Sequence, residues 1–238
     1  MDRRAEFLSK ANALKPKIHK KRVRLEGDCA HKPMTEGDSI TLDFGNHHVG
    51  YVTLKLGYAG SHPDAPAWLR LSFCESPREL GEDIEGYQGW ISKGWIQVEQ
   101  IHVDVLPCTL RLPRRYAFRF LRMDVLAVSS KYHLYLEDAW VDSVTSADDS
   151  LLQPFSGTSE EEAIDRIAVR TLRNCMQDFF EDGPKRDRRL WLGDFRLEAL
   201  ANYKTFHNND LVKRCLYLFS AAQGDDGQLP ACLFTEPT

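Results

Sequence analysis

Three carboxylates, four basic side chains and a tryptophan crowd into the stretch Asp182-Gly183-Pro184-Lys185-Arg186-Asp187-Arg188-Arg189-Leu190-Trp191-Leu192-Gly193-Asp194. Gly183, Pro184 and Gly193 mark it as irregular backbone rather than part of a repeating element. Clustered carboxylates are suited to acid–base cleavage of a glycosidic bond, in which one carboxyl protonates the leaving oxygen and a second activates water. An indole beside them suits a pyranose, because the C–H face of the sugar packs on the ring while its hydroxyls meet the acids. A solvated, salt-bridged turn between two helices has the same composition, since charge runs generally face water. Residue types alone leave both readings open, and the surrounding elements must decide.

Those elements are of two textures. From about residue 38 to residue 144 apolar and polar positions alternate, as at 39–44 and 51–56, with a turn predicted at 45–50 between them. Segments 68–73, 96–105, 108–112, 117–125 and 132–136 continue the pattern, and several such strands without an intervening helix predict an antiparallel β-sandwich. His47 and His48 fall in the predicted turn without partners at metal-ligand spacing. The glycine-rich connection 86–95, with Trp90 and Trp95, reads either as a sugar-facing loop or as a long hairpin at the sandwich edge.

Past Asp142 the polar run 143–150 and the loop 153–157 mark a domain boundary. Thr158 with Glu161, or Ser159 with Glu162, satisfies a capping box, and the acidic first turn suits the positive end of a helix dipole. Ile164, Ile167, Ala168, Leu172, Cys175, Met176 and Phe179 recur at helical spacing and predict one long helix whose apolar stripe is core. A second helix is predicted over about 194–207, carrying Leu197, Leu200, Ala201 and Tyr203. A third is predicted over 209–223, carrying Val212, Cys215, Leu216 and Phe219, and ended by Gly224. Short connections make such helices antiparallel, which puts the charged stretch at one end of a helical hairpin. Three helices with broad apolar faces do not close a bundle, so the expectation is the start of a larger helical domain. The predicted bounds are an N-terminal extension over 1–30, a β-sandwich over 31–150 and the helical start over 151–238.

With 238 residues, 42% of them hydrophobic and 28% charged, the chain has room for two unequal domains. A net charge of −4 and a pI near 6.1 supply no global field to gather nucleic acid or an anionic membrane, and neither partner is predicted. The basic run 15–24 has the charge of a phosphate-binding arm, yet no aromatic residue interleaves it, and a solvated lead-in to the first strand is the favoured reading. Cys29, Cys74, Cys108, Cys175, Cys215 and Cys232 are too widely spaced for a zinc or redox motif and are predicted to be reduced, mostly buried thiols. The first residues lack the apolar run of a secretory signal and no stretch approaches membrane-spanning length, so a cytoplasmic location is expected.

Taken together, the chain resembles the α-L-rhamnosidase family of glycoside hydrolases. The resemblance lies chiefly in the stretch from Asp182 to Asp194, similar to the family's signature loop after the first toroid helix. Echoes occur at Leu42-Asp43-Phe44-Gly45 with Val49-Gly50-Tyr51, at 112–121, and at Asp225-Asp226-Gly227-Gln228-Leu229-Pro230. The fold this implies is an antiparallel β-sandwich followed by the first helices of an (α/α)6 toroid. Asp187 would take the position of the general acid. Asp182 and Asp194 would hold rhamnose hydroxyls, Trp191 would wall the sugar site, and Arg186 joins them as a candidate substrate-binding residue. A proton-donating carboxyl needs burial or like charge to raise its pKa. At least two of Lys185, Arg186, Arg188 and Arg189 are therefore expected to face away and bind structural carboxylates.

Two departures from the family stand out. Many relatives carry glutamate where this chain has Asp187, which shortens the reach of the acid by about a bond length. The family's catalytic base comes from a later toroid segment, and neither Glu198 nor Glu236 sits at a matching motif. The resemblance thus implies an inverting hydrolase of terminal α-L-rhamnose, inactive as these 238 residues alone. Such hydrolysis needs no cofactor or metal. The other readings are a non-catalytic carbohydrate-binding protein using Trp90, Trp95 or Trp191, and a purely structural fragment. Unburied helix faces make self-association an expected property of the chain.

Overall fold

A computed structural model describes residues 2–25, 32–82 and 84–235; Cys29 and Glu236, weighed above, lie outside them. The chain runs α1 (Arg3–Ala13), β1 (His19–Arg24), β2 (Ser39–Gly60), β3 (Ala67–Cys74), β4 (Val98–Val103), β5 (Cys108–Arg111), β6 (Tyr116–Ala127) and β7 (Tyr132–Thr145). It continues through α2 (Ser159–Cys175), β8 (Leu190–Trp191), α3 (Leu192–Asn202), α4 (Asn209–Ala221) and β9 (Cys232–Leu233). Two compact units result, one of residues 21–143 and one of residues 1–20 with 144–238. No helix among the described residues is long and apolar enough to cross a membrane.

The first unit is an antiparallel, sandwich-like β structure in the order β1-β7-β2-β6-β3-β4, with β5 also paired to β2. Its long strand serves two sets of neighbours. The half from Ser39 to Gly50 pairs with β6, and the half from Gly50 to Gly60 pairs with β7, with Thr53 to Leu56 also meeting β5. The turn predicted at 45–50 is therefore not a turn. The strand runs through it and absorbs the extra residues as a register shift between Asp43 and His48. The glycines that suggested a turn serve other ends: Gly45 takes φ +77°, and a Cβ on Gly50 would lie 2.3 Å from the Asp142 carbonyl oxygen of the neighbouring strand. Leu54, Leu56, Leu69, Leu71, Phe118 and Leu121 fill the core, each side chain contributing about 1.5–3 kcal/mol by leaving water.

In the second unit α2 begins as the sequence predicts, with the Thr158 and Glu161 side chains each bonding the other's backbone amide in a capping box. It ends at Cys175, short of the predicted Phe179. The reason is a cap supplied from the preceding segment: the Thr145 hydroxyl donates to the Arg173 and Met176 carbonyls at 2.6 and 3.0 Å, and the Ser146 amide to Met176 at 2.8 Å. Phe179 and Phe180 enter the core from the turn that follows. Helix α3 stops at Asn202 because the Asn202 side chain accepts from the Asn208 amide while its carbonyl accepts from that of His207. Helix α4 ends at Ala221, with Ala222 as its cap, and Gly224 falls in the turn beyond.

The apolar stripe of α2 is core only at its C-terminal end. Leu172, Cys175 and Met176 are buried, whereas Ile164 and Ile167 are 61% and 63% exposed. On α3 the buried residues are Phe195, Ala199 and Asn202, and Leu197, Leu200 and Tyr203 face solvent, as does Leu216 on α4.

Residues 1–20 differ from the predicted N-terminal extension, since they pack with the helices. Phe7 stacks on Tyr217 with ring centroids 6.0 Å apart. Buried Arg214 on α4 donates to the Ala11 carbonyl at 2.5 Å and to the Asp178 carbonyl and carboxylate at 2.8 and 2.5 Å. A buried guanidinium satisfied in this way fixes the end of α1 to α4 and to the α2–α3 connection.

Candidate active site

The connection from Met176 to Trp191 leaves α2, folds back on itself and enters α3. Its neck is closed by two bonds, the Asp182 amide to the Arg189 carbonyl at 2.9 Å and the Arg189 amide to the Asp182 carboxylate at 3.0 Å. Inside the neck the Arg188 amide donates to the Gly183 carbonyl at 3.0 Å, and its side-chain Nε–H to the Pro184 carbonyl at 3.1 Å. A Cβ on Gly183 would lie 2.2 Å from the Arg186 carbonyl oxygen, so only glycine lets the two arms approach. Leu190 and Trp191 then pair antiparallel with Leu233 and Cys232, which braces the loop from a segment beyond α4.

Within this frame Asp187 lies at the loop's tip, its carboxylate 3.5 Å from Arg186 Nη1 and its side chain 21% exposed. Asp182 is half-buried and spends one oxygen on the neck. Trp191 is half-buried on β8, and Asp194 is exposed in the first turn of α3. Of the basic residues, Arg189 lays its guanidinium over the Phe234 ring at 4.4 Å. Arg186 pairs with Asp187.

The residue that the sequence undervalued is Glu198. It follows Asp194 by one helical turn, so both carboxyls share a face of α3. Burial first, and then the charges of Asp194, Asp182 and Glu181, push its pKa up to about 8, while a hydrogen bond with the Cys175 thiol works weakly the other way. The Cys175 thiol is itself raised, by burial and then by Glu198, Glu181 and Asp182. The structure thus gathers Asp182 and Asp194 with Glu181 and Glu198 in one carboxylate group, in which Glu198 holds a proton at neutral pH. The four-residue spacing of Asp194 and Glu198 was the available signal in the sequence.

Elsewhere, His47 pairs with Glu75 at 2.7 Å and His48 contacts the Phe44 carbonyl at 3.4 Å. Among the described residues no group of three or more His, Cys, Asp or Glu is arranged to hold a metal. Trp90 is 91% exposed on the connection that ends in the short helical turn Lys93–Trp95. Cys74, Cys175 and Cys215 are buried, and Cys108 and Cys232 are half-buried.

Residues 7–143 match the family model for the glycosyl hydrolase family 78 alpha-rhamnosidase N-terminal domain, and residues 157–234 match the bacterial alpha-L-rhamnosidase 6 hairpin glycosidase domain. The chain belongs to the glycosyl hydrolase family 78 rhamnosidases. A solved rhamnosidase from Klebsiella oxytoca with rhamnose bound is 43% identical, with a TM-score of 0.90 over 99% of this chain and 50% of its own. This chain thus spans about half the length of that relative. A Streptomyces avermitilis α-L-rhamnosidase complexed with L-rhamnose shares the fold at 16% identity and a TM-score of 0.65, over 92% of this chain and 20% of its own. A family 78 rhamnosidase of Bacillus sp. GL1 does so at 24% and 0.64, over 79% and 18%. No curated protein sequence matches the chain. As a family 78 member it combines a β-sandwich N-terminal domain with part of a six-hairpin glycosidase domain.

Proposed function

We propose that this chain supplies the sandwich and the acid-bearing loop of an inverting glycosidase that removes terminal α-L-rhamnose from glycosides or polysaccharides. What carries the reading is the likeness, over nearly the whole chain, to a rhamnosidase that binds rhamnose, together with the closed loop that presents Asp187. In this reading Asp187 donates the proton to the leaving oxygen. Asp182 and Asp194, with Arg186, take the sugar hydroxyls, and Trp191 forms the apolar wall. Glu198, its pKa pushed up to about 8 by burial, adds a carboxyl able to donate a hydrogen bond within the group.

The base that activates water comes, in this proposal, from a segment outside residues 1–238, so these residues alone bind the sugar without turning it over. An aryl α-L-rhamnoside, assayed beside other aryl glycosides, tests it on a protein extended to the length of the K. oxytoca relative. Asp187→Asn should lower kcat by at least about a thousandfold with the fold intact. Unchanged turnover in that variant, or preference for another sugar, would refute the assignment. Turnover by the 238 residues alone would refute the external base.

A further inference from the structure

The basic run at the end of α1, a solvated lead-in on sequence grounds, has a different setting in the fold. Lys15, Lys17 and His19 line a groove of about 590 Å³ together with the start of α4 and Ser146. That volume is in the range of small-ligand sites. None of its wall residues belongs to the 182–194 loop.

Two independent features of this groove call for an anion. The first is the N-terminus of α4, a helix of 13 residues. There the Asn209 amide is taken by the His207 carbonyl and the Leu211 amide by the Asn208 side chain, and the Asp210 amide has no acceptor among the described residues. The second is Ser146, only 3% exposed, whose hydroxyl has no hydrogen-bond partner. A buried hydroxyl without a partner is costly unless something completes it.

The charges agree. Three lysines (Lys15, Lys17 and Lys213) face two aspartates, and both aspartates are already engaged. Asp210 pairs with Lys213 at 3.2 Å. Asp148 accepts from the Ser150 hydroxyl and amide at 2.6 and 2.9 Å, and these bonds, ahead of the nearby His19 and Lys17, hold its carboxyl below the ordinary range. Lys15 and Lys17 thus keep charge to offer. His19 and His207, also in the wall, add donors.

We infer that this groove binds a phosphate monoester: the oxyanion sits between Lys15, Lys17 and the first turn of α4 and accepts from the Ser146 hydroxyl, and the rest of the groove holds the ligand's organic body. Amide NMR spectra of the chain, titrated with inorganic phosphate, with glucose 6-phosphate and with sodium chloride at matched ionic strength, test this directly. The Ser146, Asp210 and Leu211 amides should shift with both phosphates and not with chloride, and glucose 6-phosphate should bind more tightly. The double variant Lys15→Glu/Lys17→Glu, at exposed positions that leave the fold intact, should weaken binding at least tenfold. Ser146→Ala gives the sharper readout. It should leave the ligand-free chain at least as stable while weakening phosphate binding severalfold, a pairing of signs that a structural serine does not produce. Shifts shared with chloride, or affinity unchanged in both variants, overturn the site. Equal affinity for free phosphate and glucose 6-phosphate overturns the monoester.

Discussion

Glu198 gives the carboxylate group a pH signature that can be measured without substrate. Its folded-state pKa, about 8 against an ordinary 4.5, means that the folded chain holds this proton more tightly than the unfolded chain does. The stability linked to it is fully present below the unfolded value and is lost as pH rises through the folded one, a window of roughly pH 4.5 to 8. Glu198→Gln removes the titration. It should flatten this part of the pH profile and leave the variant more stable than the parent above pH 8, by about 3 kcal/mol once solvent screening is allowed for. Urea midpoints taken from pH 5 to pH 9 check the sign and the size. Gly183 offers a second test at this scale. Gly183→Ala places a methyl against the Arg186 carbonyl and should cost on the order of 2 kcal/mol, read as a loss in thermal midpoint. The loop's composition revealed Asp182, Asp187, Trp191 and Asp194 as candidates, because polar chemistry leaves its residue types in the sequence. It could not reveal Glu198, whose importance comes from burial and from charges brought together by folding.

Elements were legible where a local rule acts alone. The capping box of α2 is such a rule, and Thr158→Ala should cost about 1 kcal/mol, seen as a lower denaturation midpoint of the helical unit. Where a distant partner decides, the sequence misleads. Helix α2 stops early because Thr145 and Ser146 take its last carbonyls, and no periodicity within the helix foretells that. The 45–50 stretch has the composition of a turn, yet β6 and β7 hold it extended. Helix α1 read as an extension because the residue that fixes it, Arg214, lies two hundred positions downstream. Arg214→Ala should leave the Asp178 carboxylate and the Ala11 carbonyl without their donor and cost about 3–5 kcal/mol; Arg214→Lys should recover only part of it, since an ammonium cannot make the same forked contacts. Chemical denaturation followed by tyrosine and tryptophan fluorescence separates the two.

At the scale of the whole chain, each compact unit has its own apolar core. The helical unit still presents Ile164, Ile167, Leu197, Leu200 and Leu216 to solvent. Apolar side chains left outside in this number favour association, so we expect the 238-residue chain to self-associate at micromolar concentrations. Sedimentation equilibrium of the parent against Leu197→Glu/Leu200→Glu measures it: the variant should be monomeric at concentrations where the parent is not. A parent that stays monomeric to high concentration removes the idea.

The pairing of Leu190 and Trp191 with Leu233 and Cys232 also imposes an order of assembly. The peptide carrying Asp187 precedes its bracing strand by about forty residues of chain, with α3 and α4 between them. A released chain ending ahead of residue 232 should therefore leave the bonds after Lys185, Arg186, Arg188 and Arg189 open to trypsin, and a chain that includes the strand should resist cleavage there.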